Sequence, residues 1–265
     1  MTPAAVSQQI KQLEDRLGVS LFHRGVRLAL EPHAIEAAAA LSDAFDRLAR
    51  AADRLVPESL DRPLVVSAPP AFAARWLVPR LERFHTRHPE IDLHLSASLR
   101  LVDLEREGVD VAIRYGSGRY PGLFVERLRL EDVVAVAVPR LAEGLRIPAD
   151  LCKESLLVNQ TMGWDPSFPD WPTWLAEMGV VPDGALKLRQ FGDAALVIEG
   201  ALAGLGCALA WRTLVSDELA SKQLVALFPG RPLASAYHMV SLPDRKENPN
   251  LRAFRAWLLE EAALC

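Results

Sequence analysis

The chain has 265 residues, 50% hydrophobic and 24% charged, an ordinary globular composition with room for two domains or one large domain and an appendage. Its net charge of −4 and pI near 5.9 exclude a surface coated in basic residues, though not a local patch for nucleic acid. No run reaches the about 18 uncharged apolar residues of a membrane span, and the polar-interleaved first twenty residues lack a signal-peptide core, so a cytoplasmic protein is expected.

The opening stretch "TPAAVSQQIKQLEDRLG" reads as a whole helix. Thr2 is a fitting N-cap and Pro3 suits the first helical position, where its missing N–H is no loss. Val6, Ile10, Leu13 and Leu17 form one apolar stripe, and Gly18 supplies the stop. So short a helix is marginal alone in water, so the stripe predicts a partner. "VSLFHRGVRLALEP" follows as an extended segment turning at Gly25. Residues 33–56 are Ala-rich, and Ala34, Ala38, Leu41, Phe45, Leu48, Ala52 and Leu55 alternate by four and three. That heptad seam predicts a helix–helix dimerisation surface, since charged residues crowd the opposite face.

"PESLDRP" (57–63) reads as a linker. Beyond it strands alternate with helices: strands at 64–68, 91–98 and 109–116, a helix at 71–89, a helical turn at 101–108 and an extended crossover at 124–139. The second half repeats the rhythm. Strands are predicted at 155–160, 186–192, 207–211 and 235–243, and helices at 170–179 and 193–206. Residues 212–229 read as a helix running into a strand, and 248–262 as a closing helix. The fold class is α/β, with two lobes and a ligand cleft between them.

Enzyme chemistry finds little support, and no cofactor or metal is expected. "GALAGLG" follows a helix and precedes a strand, the reverse of a dinucleotide-binding turn. Ser117 in "YGSGR" lacks the spacing of a nucleophile elbow. His85 and His88 share a helix with no third metal ligand near. Cys152, Cys207 and Cys265 suggest no disulfide framework, and Cys207 in "GLGCALAW" reads as a buried, inert thiol.

"TPAAVSQQIKQLEDRLGVSLFHR" resembles the second half of the winged helix-turn-helix of LysR-type transcriptional regulators, with Val6, Ser7, Gln9, Ile10, Leu13 and Phe22 among the matching positions. "WLVPRLERFHTRHPEIDLHLSAS", "VDLEREGVDVAIRYGSG" and "FGDAALVIEGALAGLGCAL" resemble the effector domain of the subgroup that includes the glycine-cleavage and β-lactamase activators. The resemblance spans essentially the whole chain. It implies a partial winged helix-turn-helix (1–32), a linker or dimerisation helix (33–56) and a two-lobed effector domain of periplasmic-binding-protein type (62–265). Lobe I would take 62–135 and 233–265, and lobe II 136–232. The family's two preceding helices are missing, which suggests a misplaced start site or a truncated gene.

The partners implied are double-stranded promoter DNA, a small-molecule effector such as an amino acid or other carboxylate, and further copies of the chain in a homodimer or homotetramer. On the recognition helix, Pro3, Ala4, Ser7 and Gln8 are the candidates for base edges, with Gln8 able to read adenine and Ala4 a thymine methyl. Thr2, Lys11, Arg24 and Arg27 are the candidate phosphate contacts. For the effector, strand ends and helix starts nominate Ser67, Ala68 and Phe72, then Ser96 and Ser98, then Tyr115 and Gly116. Asn159, Thr161, Trp164, Phe191 and Asp193 complete the set from the second half. An effector-binding module without DNA-binding activity is the alternative reading.

Overall fold

The structure, a computed structural model, describes residues 3–24, 28–31, 34, 35, 37, 38, 41, 44, 62–160 and 165–264. The chain divides into two compact units, Met1–Ser59 and Leu60–Cys265.

In the first unit, α1 (Pro3–Leu17) ends where the backbone turns left-handed at Gly18, φ 70°. The Gly18 N–H bonds the Glu14 carbonyl at 2.8 Å, and a side chain at this φ would be strained. The Glu14 carboxylate then accepts from the Leu21 N–H at 2.7 Å and the Phe22 N–H at 3.3 Å, pinning the exit of the helix to the next element. That element is an antiparallel pair of β1 (Phe22–Arg24) and β2 (Leu28–Leu30), with Phe22 opposite Leu30. Residues 34, 35, 37, 38, 41 and 44 are helical. Of the heptad positions, Ala34 is buried, Ala38 half-buried and Leu41 exposed; Phe45, Leu48, Ala52 and Leu55 lie outside the described residues.

The second unit is built on one sheet. Its strands are β3 (Leu64–Ala68), β4 (Leu93–Ala97), β5 (Val111–Gly116), β6 (Phe124–Ala137), β7 (Ser155–Asn159), β8 (Lys187–Phe191), β9 (Cys207–Trp211), β10 (Val225–Ala226) and β11 (Arg231–Ser241). The order is β4-β3-β5-β11-β6-β9-β7-β8, with β10 pairing to β6. Two wings of parallel strands, β4-β3-β5 and β9-β7-β8, flank the antiparallel pair β11 and β6. Strands such as β9, CALAW, are apolar throughout because both their faces are covered.

The long pair carries the chain from one wing to the other. β11 pairs with β5 through Ala236–Ser241, whereas β9 pairs with β6 through Val133–Val136. Between these stretches the register of β11 and β6 jumps: Pro232 faces Asp132 and Ala236 faces Leu130. Three residues of β11 therefore stand opposite Glu131 alone. Such a bulge bends and twists a strand locally, and it marks the waist of the unit.

The helical stretch α2 (70–87) replaces the regular helix predicted for 71–89. It passes from α geometry at Pro70–Phe72 through a π turn at Ala73–Leu77 and a 3-10 turn at Val78–Arg80 to α again at Leu81–Arg87. Pro79 has no N–H to give, and the wide and tight turns on either side of it re-route the ladder. Phe84 of α2 meets Phe254 (5.5 Å) and Trp257 (5.1 Å) of the last helix, α7 (Pro249–Ala263). Arg75 and Arg80 of α2, both nearly buried, reach the other half. Arg75 bonds Glu199 at 2.6 Å in α5 (Ala194–Leu202) and pairs with Glu218 in α6 (Ser216–Ala220), while Arg80 holds Asp217 at 2.6 Å.

The remaining helices are α3 (Pro139–Ala142) and α4 (Trp171–Glu177). Residues 101–108 hold the expected helical turn, in which the Glu107 N–H bonds the Asp103 carbonyl at 2.9 Å, whereas 139–153, unassigned from sequence, hold α3 and a 3-10 stretch at Pro148–Lys153. Cys207 is buried, and burial pushes its thiol up to about 12, the inert state expected of it. Among the described residues, no helix is long and apolar enough to cross a membrane.

Candidate effector cavity and nucleic-acid-binding unit

At the waist, a cavity of about 700 Å³ opens between the wings. From the first wing come Pro69 and Ala71 where β3 meets α2, Arg114–Gly116 at the end of β5, and Ser117, Arg119 and Tyr120 just beyond. From the second come Asn159 at the end of β7, Asp165–Ser167, Asp193 and Ala194 at the start of α5, and Trp211 at the end of β9. Ala234, Ser235 and Tyr237 of the β11 bulge complete the floor, and Leu99 and Leu101 stand at the rim. A crevice at the carboxyl ends of strands, where the sheet reverses, is where open α/β sheets bind small molecules.

Aromatic rings build the floor. Tyr115 sits 5.4 Å from Trp211 and 5.1 Å from Tyr237, and Tyr237 lies 4.5 Å from Phe72. Burial raises the phenols of both Tyr115 and Tyr237 well above their ordinary value, so they act as neutral hydroxyls. Arg114 is almost wholly buried. Its terminal nitrogens donate to the carbonyls of Ser67 (3.3 Å), Ile113 (2.7 Å) and Arg100 (3.2 Å) and to the Ser67 hydroxyl (2.8 Å). Asp165, also buried, accepts from the Ser167 N–H (2.9 Å) and hydroxyl (2.8 Å) through one oxygen. Beneath the floor, Glu131 accepts from the Thr213 N–H at 3.3 Å, and its burial pushes the carboxyl up to about 7.

In the first unit, Ser7, Gln8 and Lys11 are exposed on α1, whose first turn contains Pro3 and Ala4. Arg24 closes β1 opposite Leu28. Thr2 and Arg27 lie outside the described residues. A helix presenting short polar side chains beside a two-stranded wing has the elements of a major-groove reader.

Two family models match the chain: "LysR substrate binding domain" over residues 57–263, and "Bacterial regulatory helix-turn-helix protein, lysR family" over residues 1–34. The chain belongs to the LysR family. It is 36% identical over 266 residues to the HTH-type transcriptional activator AmpR of Pseudomonas aeruginosa, covering 100% of this chain and 88% of that protein. It is 37% identical over 268 residues to the glycine cleavage system transcriptional activator of Escherichia coli, covering 99% and 86%. The effector domain of P. aeruginosa AmpR superposes with a TM-score of 0.62 at 34% identity, covering 77% of this chain and 96% of that one. CrgA of Neisseria meningitidis, a LysR-type transcriptional regulator, shares the fold over 99% of this chain and 90% of its own, with a TM-score of 0.58 at 23% identity. The protein is thus a LysR-type transcriptional regulator, with a helix-turn-helix segment followed by a two-lobed α/β effector domain.

Of the effector positions nominated from sequence, Tyr115, Gly116, Asn159 and Asp193 line the cavity of this LysR protein. Ser67, Ala68 and Phe72 lie in the core beneath it, where the Ser67 hydroxyl is engaged by Arg114. Ser96 is exposed on β4, and the Ser98 hydroxyl accepts from the Arg100 N–H at 3.1 Å. Phe191 packs against the core near Gly200, and Asp193 caps α5 through the Ala195 N–H at 2.7 Å. Thr161 and Trp164 fall outside the described residues. The sequence reading passed over Arg114, Asp165, Trp211 and Tyr237. Arg114 carried a signal: it is the lone cation in the apolar run "VDVAIRYG".

Proposed function

We propose that the cavity at the waist is the effector site of this regulator, and that α1 with its wing is the segment that reads promoter DNA. Lobe I would comprise 62–135 and 233–265, and lobe II 136–232. The observation that supports this most is that the 700 Å³ cavity draws its walls from both wings and its floor from the bulged strand between them. An effector seated there shifts the regulator only if it binds one wing arrangement better than another. Lys11, Arg24 and Arg27 would hold phosphates, Ser7 and Gln8 would meet base edges, and the heptad seam of 33–56 would join copies of the chain. Regulation in the cytoplasm, rather than turnover, is the activity proposed.

The test is selection from a random duplex library by the full chain, followed by titration of the selected duplex at several salt concentrations. Sequence-selective binding is expected, and Lys11→Ala should lower the salt slope by about one ion without changing the selected sequence. Absence of selective binding, with ligand binding retained, would favour the effector-binding module instead. The exposure of Val6, Leu13 and Leu17 on α1 is the observation on that side.

A further inference from the structure

We propose that the cavity is built for a zwitterion with an apolar body, an apolar α-amino acid larger than glycine, with its carboxylate beside Arg114 and its ammonium at Asp165. This rests on the reading of the cavity as the effector site and names the chemistry of its ligand.

Arg114 is 5% exposed, yet all four acceptors of its terminal N–H groups are neutral. No carboxylate forms an ion pair with it among the described residues, and the nearby Glu107 is held by Arg100. The surrounding carbonyls fix the guanidinium in place, and burial pulls its pKa below the ordinary value, with the Glu107 carboxylate offsetting only part of that pull. A buried charge without a counter-charge is a strong attractor for an anion entering the same cavity.

Asp165 is the mirror case. It is also 5% exposed, and its Oδ1 is committed to Ser167. Its Oδ2 is buried, the Tyr115 hydroxyl is the polar group that reaches this carboxylate, and no cationic side chain pairs with the residue among those described. Its polar neighbour Tyr115 stays neutral. The other cavity carboxylate, Asp193, is occupied by its helix cap. Among the described residues, the cavity thus offers one buried cation without an ion pair, Arg114, from the first wing, beside the exposed Arg119, and one buried carboxylate without an ion pair, Asp165, from the second. Apolar surface lies around them: Leu99 and Leu101 at the rim are 58% and 69% exposed, and Trp211 and Leu214 belong to the wall. A ligand that matches this lining carries both charges and an apolar side chain, and glycine has none to offer the leucines.

The experiment is calorimetric titration of the full chain with L-leucine and L-phenylalanine, against glycine, phenylalaninamide, which lacks the carboxylate, and 3-phenylpropionate, which lacks the ammonium. Phenylalanine or leucine should bind at least about tenfold tighter than any of the three comparators. In Asp165→Asn the preference for phenylalanine over 3-phenylpropionate should collapse toward one. In Arg114→Gln the preference over phenylalaninamide should collapse in the same way. Thermal unfolding of each variant checks the fold, and Asp165→Asn keeps the Ser167 contacts should Arg114→Gln fail to fold. Equal binding of the zwitterion and its single-charge analogues, or no binding of either amino acid at millimolar concentration, overturns the proposal and leaves the effector reading standing. Binding left unchanged by Arg114→Gln, Asp165→Asn and Ala234→Trp alike, all at cavity-lining positions, places the ligand elsewhere and overturns the effector reading itself.

Discussion

α1 and α7 are each 15 residues long and each begins with proline, yet they live in opposite environments. α7 buries Leu251, Phe254, Trp257, Leu258 and Ala262 against α2 and the sheet, whereas α1 leaves Val6, Leu13 and Leu17 39%, 46% and 55% exposed. Helical periodicity is common to both. What separates them is the cover that the rest of the unit supplies, and helical stability in proteins comes mostly from that cover. Among the described residues, the second unit therefore holds most of the apolar burial, while α1 presents an amphipathic surface.

The sharpest way to break this contrast is Trp257→Ala, which removes a fully buried ring touching Phe84 and Phe254. Loss of about 3–5 kcal/mol is expected in urea denaturation followed by tryptophan fluorescence. All six tryptophans lie beyond residue 60, so this signal reports on the second unit alone. A loss near zero would mean that α7 is no better anchored than α1.

The next effect comes from Glu131 at the waist. Its carboxyl is pushed from 4.5 up to about 7 by burial. Between those values the folded state keeps a proton that the unfolded state has lost, so stability falls as pH rises through this window, by about 3 kcal/mol in all. Glu131→Gln should flatten the pH dependence of Tm between pH 5 and 8, and should be the more stable protein at the alkaline end. An unchanged slope would show that another group drives it.

A smaller effect is expected at the start of α7, where the Asn248 side chain accepts from the N–H groups of Asn250 (3.0 Å) and Leu251 (3.2 Å). Asn248→Ala should lower stability by about 1 kcal/mol, read in the same denaturation. Smallest of all is Leu13→Ala in α1. Because Leu13 is already half in solvent, a change within about 0.5 kcal/mol is expected by circular dichroism. A cost of several kcal/mol there would reveal cover for α1 and erase the contrast.

Much of the second unit was legible in the sequence because parallel strands covered on both faces read as short apolar runs. LVVSA, SLLVN and CALAW all fall on observed strands. The start of β11 was not legible. "RPLA" opens with Arg and Pro, and its pairing is set by the bulge opposite Glu131 rather than by alternation. "LVDLEREG" forms the single helical turn its residues predict, with the Glu107 carboxylate gripping Arg100 and the Asp103 N–H. The cavity's location followed from strand ends and helix starts, a rule of topology. Its charged pair did not, because only folding brings Arg114 and Asp165, 51 positions apart, into one lining. Ser67 shows the converse: a strand-end hydroxyl by sequence, it is held beneath the cavity by the guanidinium it orients.

In the strand order of the described residues, β11 and β6 stand between the two wings and join them by a backbone ladder. The Arg75 and Arg80 bridges from α2 to α5 and α6 fasten the same two halves a second time, by side chains. The two fastenings differ in kind: backbone ladders have fixed spacing, whereas charged side-chain bridges weaken with salt.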